Sequence, residues 1–151
     1  MNEVQVETML ADYAVVADGK LTIVGGGWST ISPNPTPTAL AISVKVPWDR
    51  TNEKHLMTVR LVDEDGAAFV PHDAPEGFDG IRFEIPFEVG RAPGIRPGTP
   101  MDVAFAINVG PLPLVAGRRY VWEVEVNGQT GYGWNLPFTV ADSAGPMRLA
   151  G

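Results

Sequence analysis

The chain has no cysteine, which excludes disulfide scaffolding, cysteine-ligated zinc and thiol chemistry at once. Histidine is almost as scarce. Only His55 and His72 are present, too few for the zinc sites that rest on several histidines. No segment repeats apolar residues at the spacing of an amphipathic helix. No run approaches the ~20 apolar residues that a membrane-spanning helix needs. Basic residues are in the minority, 11 Lys and Arg against 18 Asp and Glu, and the net charge of −7 is spread without a block of one sign. That balance argues against nucleic acid and against an anionic membrane as partners. The opening residues 1–7, M-N-E-V-Q-V-E, offer neither a basic region nor a continuous apolar one, so the expected location is cytoplasmic.

What the chain does have is glycine and proline, 17 and 14 residues in 151. They fall between apolar runs and punctuate them, as turns do between strands. The length suits one domain, expected over residues 1–141 with a loose tail at 142–151. The stretch from Met9 to Ile31 sets the grammar. Two apolar runs meet at Asp18-Gly19, an Asx-Gly pair of the kind that closes a two-residue hairpin. The triple glycine Gly25-Gly26-Gly27 then leads to Trp28, and reads as a bulge or a sharp bend. A phosphate cradle is disfavoured, because the glycines run toward prolines rather than into a helix.

Residues 32–38, S-P-N-P-T-P-T, form a stiff connection, the natural crossover between two sheets. From Ala39 to Val46 the pattern alternates, with Leu40, Ile42, Val44 and Val46 on one face, and predicts a half-buried strand. Lys54–Asp63, Ile81–Val89 and Met101–Val109 alternate in the same way. Asp65-Gly66 predicts a hairpin into a short run at Ala67–Val70, and Pro86 marks its strand as an edge or as one that carries a bulge. In the last third, Tyr120, Trp122, Val124 and Val126 point inward, Asn127-Gly128 turns, and Leu136, Phe138 and Val140 close the chain. Leucine, then glycine, then Tyr120 at the start of the penultimate strand resembles the tyrosine corner of Greek-key sandwiches. The fold expected is therefore all-β: an antiparallel Greek-key sandwich of about nine strands, immunoglobulin- or fibronectin-III-like or jelly-roll-like.

Candidate chemistry is thin. The loop Pro71–Gly80 gathers His72, Asp73, Glu76 and Asp79, but lacks the spaced oxygens of a calcium loop and the second histidine of a zinc site. No nucleophile elbow is present, and the outward Glu84, Glu88, Glu123 and Glu125 read as a solvated sheet face. Neither an enzyme nor a metal or cofactor is expected. Trp28, Trp48 and Trp134, with Tyr13 and Tyr132, are the aromatic anchors available to a partner. Trp122 is in phase with the core. The first strand, Val4–Ala17, is apolar on both faces, which places it either between two layers or under a partner subunit.

The pattern L-A-D-Y-A, D-G-K-L-x-I-x-G-G-G-W-S-x-I, then V-K-V-P-W-D and L-V-D-E-D-G, resembles a family of small uncharacterised proteins from actinobacteria. The resemblance covers most of the chain and implies a bacterial cytoplasmic origin, with a phage-encoded one left open. It implies no catalytic residue. The function expected is that of a non-enzymatic protein-interaction module that forms a homo-oligomer or binds another protein. The alternative is a small-molecule or carbohydrate-binding module that uses the loop aromatics and acids.

Overall fold

A computed structural model describes residues 3–143; most of the expected tail, and Met1 and Asn2, lie outside the described residues. Among the described residues nine strands form two sheets. The first sheet holds β2 (Lys20–Gly26), β1 (Gln5–Ala17), β4 (Thr38–Val46) and β7 (Met101–Val109), in that order. The second holds β3 (Thr30–Ile31), β9 (Leu136–Val140), β8 (Arg119–Val126), β5 (Lys54–Asp63) and β6 (Arg82–Glu88). Strands β1, β4 and β7 packed against β9, β8 and β5 reproduce the A-B-E and G-F-C order of an immunoglobulin-type sandwich. One pair departs from the antiparallel rule, since β3 lies parallel to β9. The proline-bearing crossover carries the chain from β3 in one sheet to β4 in the other, as its composition predicts.

The core is the interlayer. Leu40, Ile42, Val44 and Val46 from the first sheet meet Met57, Val59, Leu61, Trp122 and Val124 from the second, all at most 1% exposed. Asp18-Gly19 and Asn127-Gly128 turn the chain with positive φ at all four residues, the requirement of a type I′ hairpin. The tyrosine corner is present: the Val115 N–H donates to the Tyr120 phenol oxygen at 3.0 Å, while the ring stacks edge-on against Phe69 and tilted against Phe138. β6 is an edge strand, and Pro86 sits in it opposite Leu56.

Two expectations are corrected. Ala67–Val70 forms no strand. Asp63 folds the turn onto itself by accepting the Asp65 and Ala67 N–H groups, and a single bridge, Val62 to Ala68, remains. The Phe69 N–H still donates to Leu61 O at 3.0 Å, and its side chain fills the core. β4 is not half-buried either, because Ala39 and Ala41 on its outer face are 0% and 2% exposed. What covers them is β1. The Asn108 amide on β7 donates to Ala14 O at 2.8 Å and accepts the Ala14 N–H at 3.3 Å. Since β1 and β7 flank β4 on opposite sides, about 10 Å apart in a flat sheet, β1 must curl across the outer face of β4 for these bonds to form. Ala11, Ala14, Ala39 and Ala41 cluster beneath it with Leu21 and Ala106 against them. Small side chains allow that close approach.

Candidate functional site

The curl divides β1 into two halves. Gln5–Ala11 pairs with β4, and Ala11–Ala17 pairs with β2. The second half and β2 form an arm whose base is shaped by the glycines. Gly25 has φ +60, and a Cβ there would collide with the Asp12 carboxylate. Gly27 has φ +92, and its N–H donates to Leu10 O at 2.8 Å as the chain leaves the arm. The bend expected at this triplet is therefore real, and it needs glycine for two separate reasons, close approach and positive φ.

The arm is the most apolar exposed part of the molecule. Tyr13, Val15, Val16, Ile23 and Val24 make up five of the twelve large hydrophobic residues that are exposed among the described residues, and Met9 adds a sixth just before the arm begins. β2 is also the end of its sheet, so its outer edge carries unpaired backbone groups.

A second feature lies beside the first half of β1. A cleft of about 780 Å³ runs between Glu3–Glu7 and the loop after the β8 turn, with Arg50 at one side. Tyr132 is fully exposed at its rim, and Trp134 is half-buried within it. The Thr8 hydroxyl fixes the loop to β1 by donating to Trp134 O at 2.9 Å. A Cβ on Gly131 would strike the Trp134 indole.

The remaining aromatic candidates lie elsewhere. Trp48 is clamped by Arg91, whose guanidinium carbon sits 4.0 Å from the ring centroid while Nη2 donates to Trp48 O. Trp28 packs edge-on against Phe138 at 6.4 Å, near the Thr38 end of β4. Among the described residues its indole N–H is buried without a hydrogen-bond partner. Trp28 and Trp48 thus lie about a strand length apart, roughly 25 Å for nine residues. His72, Asp73, Glu76 and Asp79 are all exposed, and among the described residues no three His, Asp or Glu side chains converge as a metal would require. His55, by contrast, is a buried structural residue stacked on Phe87 at 5.2 Å. Its Nε2 lies 3.0 Å from Arg50 O, and its Nδ1 lies 3.0 Å from Asn127 Nδ2. The Asn127 Oδ1 is taken by the Leu56 N–H, so the amide must donate to Nδ1, and the ring is the Nε2–H tautomer.

The residues that the sequence reading missed are Glu3–Glu7, Arg50 and Asn108. Asn108 falls on the outward face of an alternating strand, where nothing distinguishes it from a solvated polar residue.

Residues 7–141 match the model of a family described as "Family of unknown function (DUF6941)". The chain belongs to that family. No curated protein and no solved structure matches it. Among the described residues no helix is long and apolar enough to cross a membrane.

Proposed function

We propose that this protein is a non-enzymatic sandwich that acts as a structural or protein-interaction module, and that it self-associates through the β1–β2 arm. One observation carries the reading: five of the twelve large exposed apolar side chains among the described residues gather on a two-stranded arm whose outer strand has a free edge. A solvated apolar patch of that kind is costly unless something covers it, and a free edge pairs readily with another strand. The resemblance to actinobacterial proteins supports reading the protein as a module of a bacterial cytoplasm. The sugar-binding alternative draws less support, because Trp28 and Trp48 are remote from each other and Trp48 is already stacked by Arg91.

Light scattering over a micromolar-to-millimolar range tests the proposal. Mass is expected to rise with concentration, and Val15→Glu with Val24→Glu is expected to hold the protein monomeric. A wild-type chain that stays monomeric throughout overturns it.

A further inference from the structure

The wall of the cleft beside Tyr132 is built in an uncommon way. Glu3, Val4, Gln5, Val6 and Glu7 all line it, five residues in unbroken succession. A strand that offers a face shows alternate residues; one that shows every residue offers its edge. The pairings agree. β2 occupies the place beside β1 only from Ala11 onward, so the place beside Gln5–Leu10 holds no strand among the described residues. Leu10 O is taken by the Gly27 N–H and the Thr8 hydroxyl by the Trp134 carbonyl, so the first sheet has a half-length slot of five residues, Glu3–Glu7, as well as a seven-residue edge strand.

We propose that this slot receives β2 of a second copy, added antiparallel to Glu3–Glu7, so that copies join head to tail. The proposal rests on the self-association reading and names the surface that the arm meets.

Register and charge select the occupant. With Lys20 opposite Glu7, Leu21 falls opposite Val6, Thr22 opposite Gln5 and Ile23 opposite Val4. Apolar then meets apolar on the face that turns toward the core, polar meets polar on the other, and the terminal cation meets an acid. A one-residue slip puts every side chain on the wrong face. A two-residue slip sets Lys20 against Met9 or Gln5 and loses the ion pair. Lys20 has no salt-bridge partner among the described residues, and neither does Glu7; the nearby Lys45 bonds to Asp102 instead. Trp134 and Tyr132 would close over the incoming Leu21 and Ile23. Because the two surfaces differ, the contact is heterologous and repeats from copy to copy.

The experiment pairs two exposed charge reversals, neither in the core. Glu7→Lys spoils the slot and Lys20→Glu spoils the strand. Each alone is expected to weaken association about fivefold or more, since like charges then face each other across the strand pair. Mixed together, the two variants are expected to co-assemble in a one-to-one ratio, alternating along the chain of copies because both junctions are again oppositely charged, and the double reversal on one chain is expected to assemble again. Hydrogen exchange on the wild type gives a second readout: protection is expected to rise with concentration at Gln5–Glu7 as well as along Lys20–Val24. If Glu7→Lys assembles at full strength and protection rises along β2 alone, the slot is overturned while self-association stands, with β2 paired to its own copy. If the wild type never assembles, both readings fall together.

Discussion

The two faces of β4 are both dry, and they are dry for different reasons. On the inner face Leu40, Ile42, Val44 and Val46 are sealed by large side chains from the opposite sheet, Trp122 foremost. On the outer face Ala39 and Ala41 are sealed by another strand of the same sheet that has curled over them. The first burial is achieved by filling volume, the second by bringing backbone close to backbone. A volume-filled core loses stability when a side chain shrinks; a close-contact seam loses it when a side chain grows. The same strand therefore answers opposite substitutions.

The largest expected effect tests the volume side. Trp122 is 1% exposed and tilts against Phe83 at 6.4 Å. Trp122→Ala is expected to cost about 3–5 kcal/mol, a drop of about 10 °C or more in melting temperature for a chain of this size. Calorimetry reads it directly. A loss under 1 kcal/mol would mean that the interlayer is not the principal source of stability.

The seam comes next. Ala41→Leu adds three carbons where β1 lies closest, and is expected to cost about 1–3 kcal/mol. The damage should be local, with faster amide exchange along the arm and little change in the interlayer strands. If the substitution is neutral, the arm rests on the sheet more loosely than the burial of Ala41 implies. Asn108→Ala sharpens the same point from the other side. It removes both bonds to the Ala14 backbone without adding bulk, and is expected to cost about 1 kcal/mol. Exchange at Tyr13–Val24 should quicken. If Asn108→Ala loosens the arm as much as Ala41→Leu, the amide is the main tether and the alanines only permit the approach.

The same division sorts what could be read from the sequence. Inner faces were legible because a period of two is a local signal, and Trp122, Tyr120 and the two Asx-Gly turns each stand within a few residues of the pattern that betrays them. The outer seam was not, because it requires three strands to be known at once: β4 in the middle, β7 supplying Asn108, and β1 bending across. The slot beside Glu3–Glu7 lies between these cases. Only five residues follow the Asp18-Gly19 turn before the first of the glycines that end β2, so only the nearest part of the long first strand could ever be paired with it. Counting back from the turn exposes the unpaired remainder, and the alternation of Glu3, Val4, Gln5, Val6 and Glu7 is visible there. Treating Val4–Ala17 as a single run with an ambiguous face concealed it. The three acids and the histidine of the Pro71–Gly80 loop stood out by density alone, which says nothing about convergence.

The smallest effect expected lies at the far end of the outer face, where no strand covers β4. Lys45 and Asp102 stand directly opposite each other on β4 and β7, with Nζ donating to Oδ1 at 2.8 Å. Both side chains are about half exposed or more, 47% and 66%, so water and salt screen the pair. The hydrogen bond to Asp102, then its charge, then that of Glu7 hold the Lys45 ammonium above its ordinary value of 10.5. A raised value means that the folded state binds this proton more tightly than the unfolded one. The pair's contribution is thus complete below the ordinary value and disappears as pH climbs through the folded one. Lys45→Met should accordingly differ from the wild type by a constant, small amount at neutral pH, and the difference should close only in strong alkali. Nuclear magnetic resonance of the lysine side chain gives the cleaner measurement: Asp102→Asn should move the Lys45 midpoint down toward its ordinary value. If it does not move, Glu7 is the stronger influence on Lys45, and the acid proposed to receive the second copy's Lys20 is already engaged within its own chain.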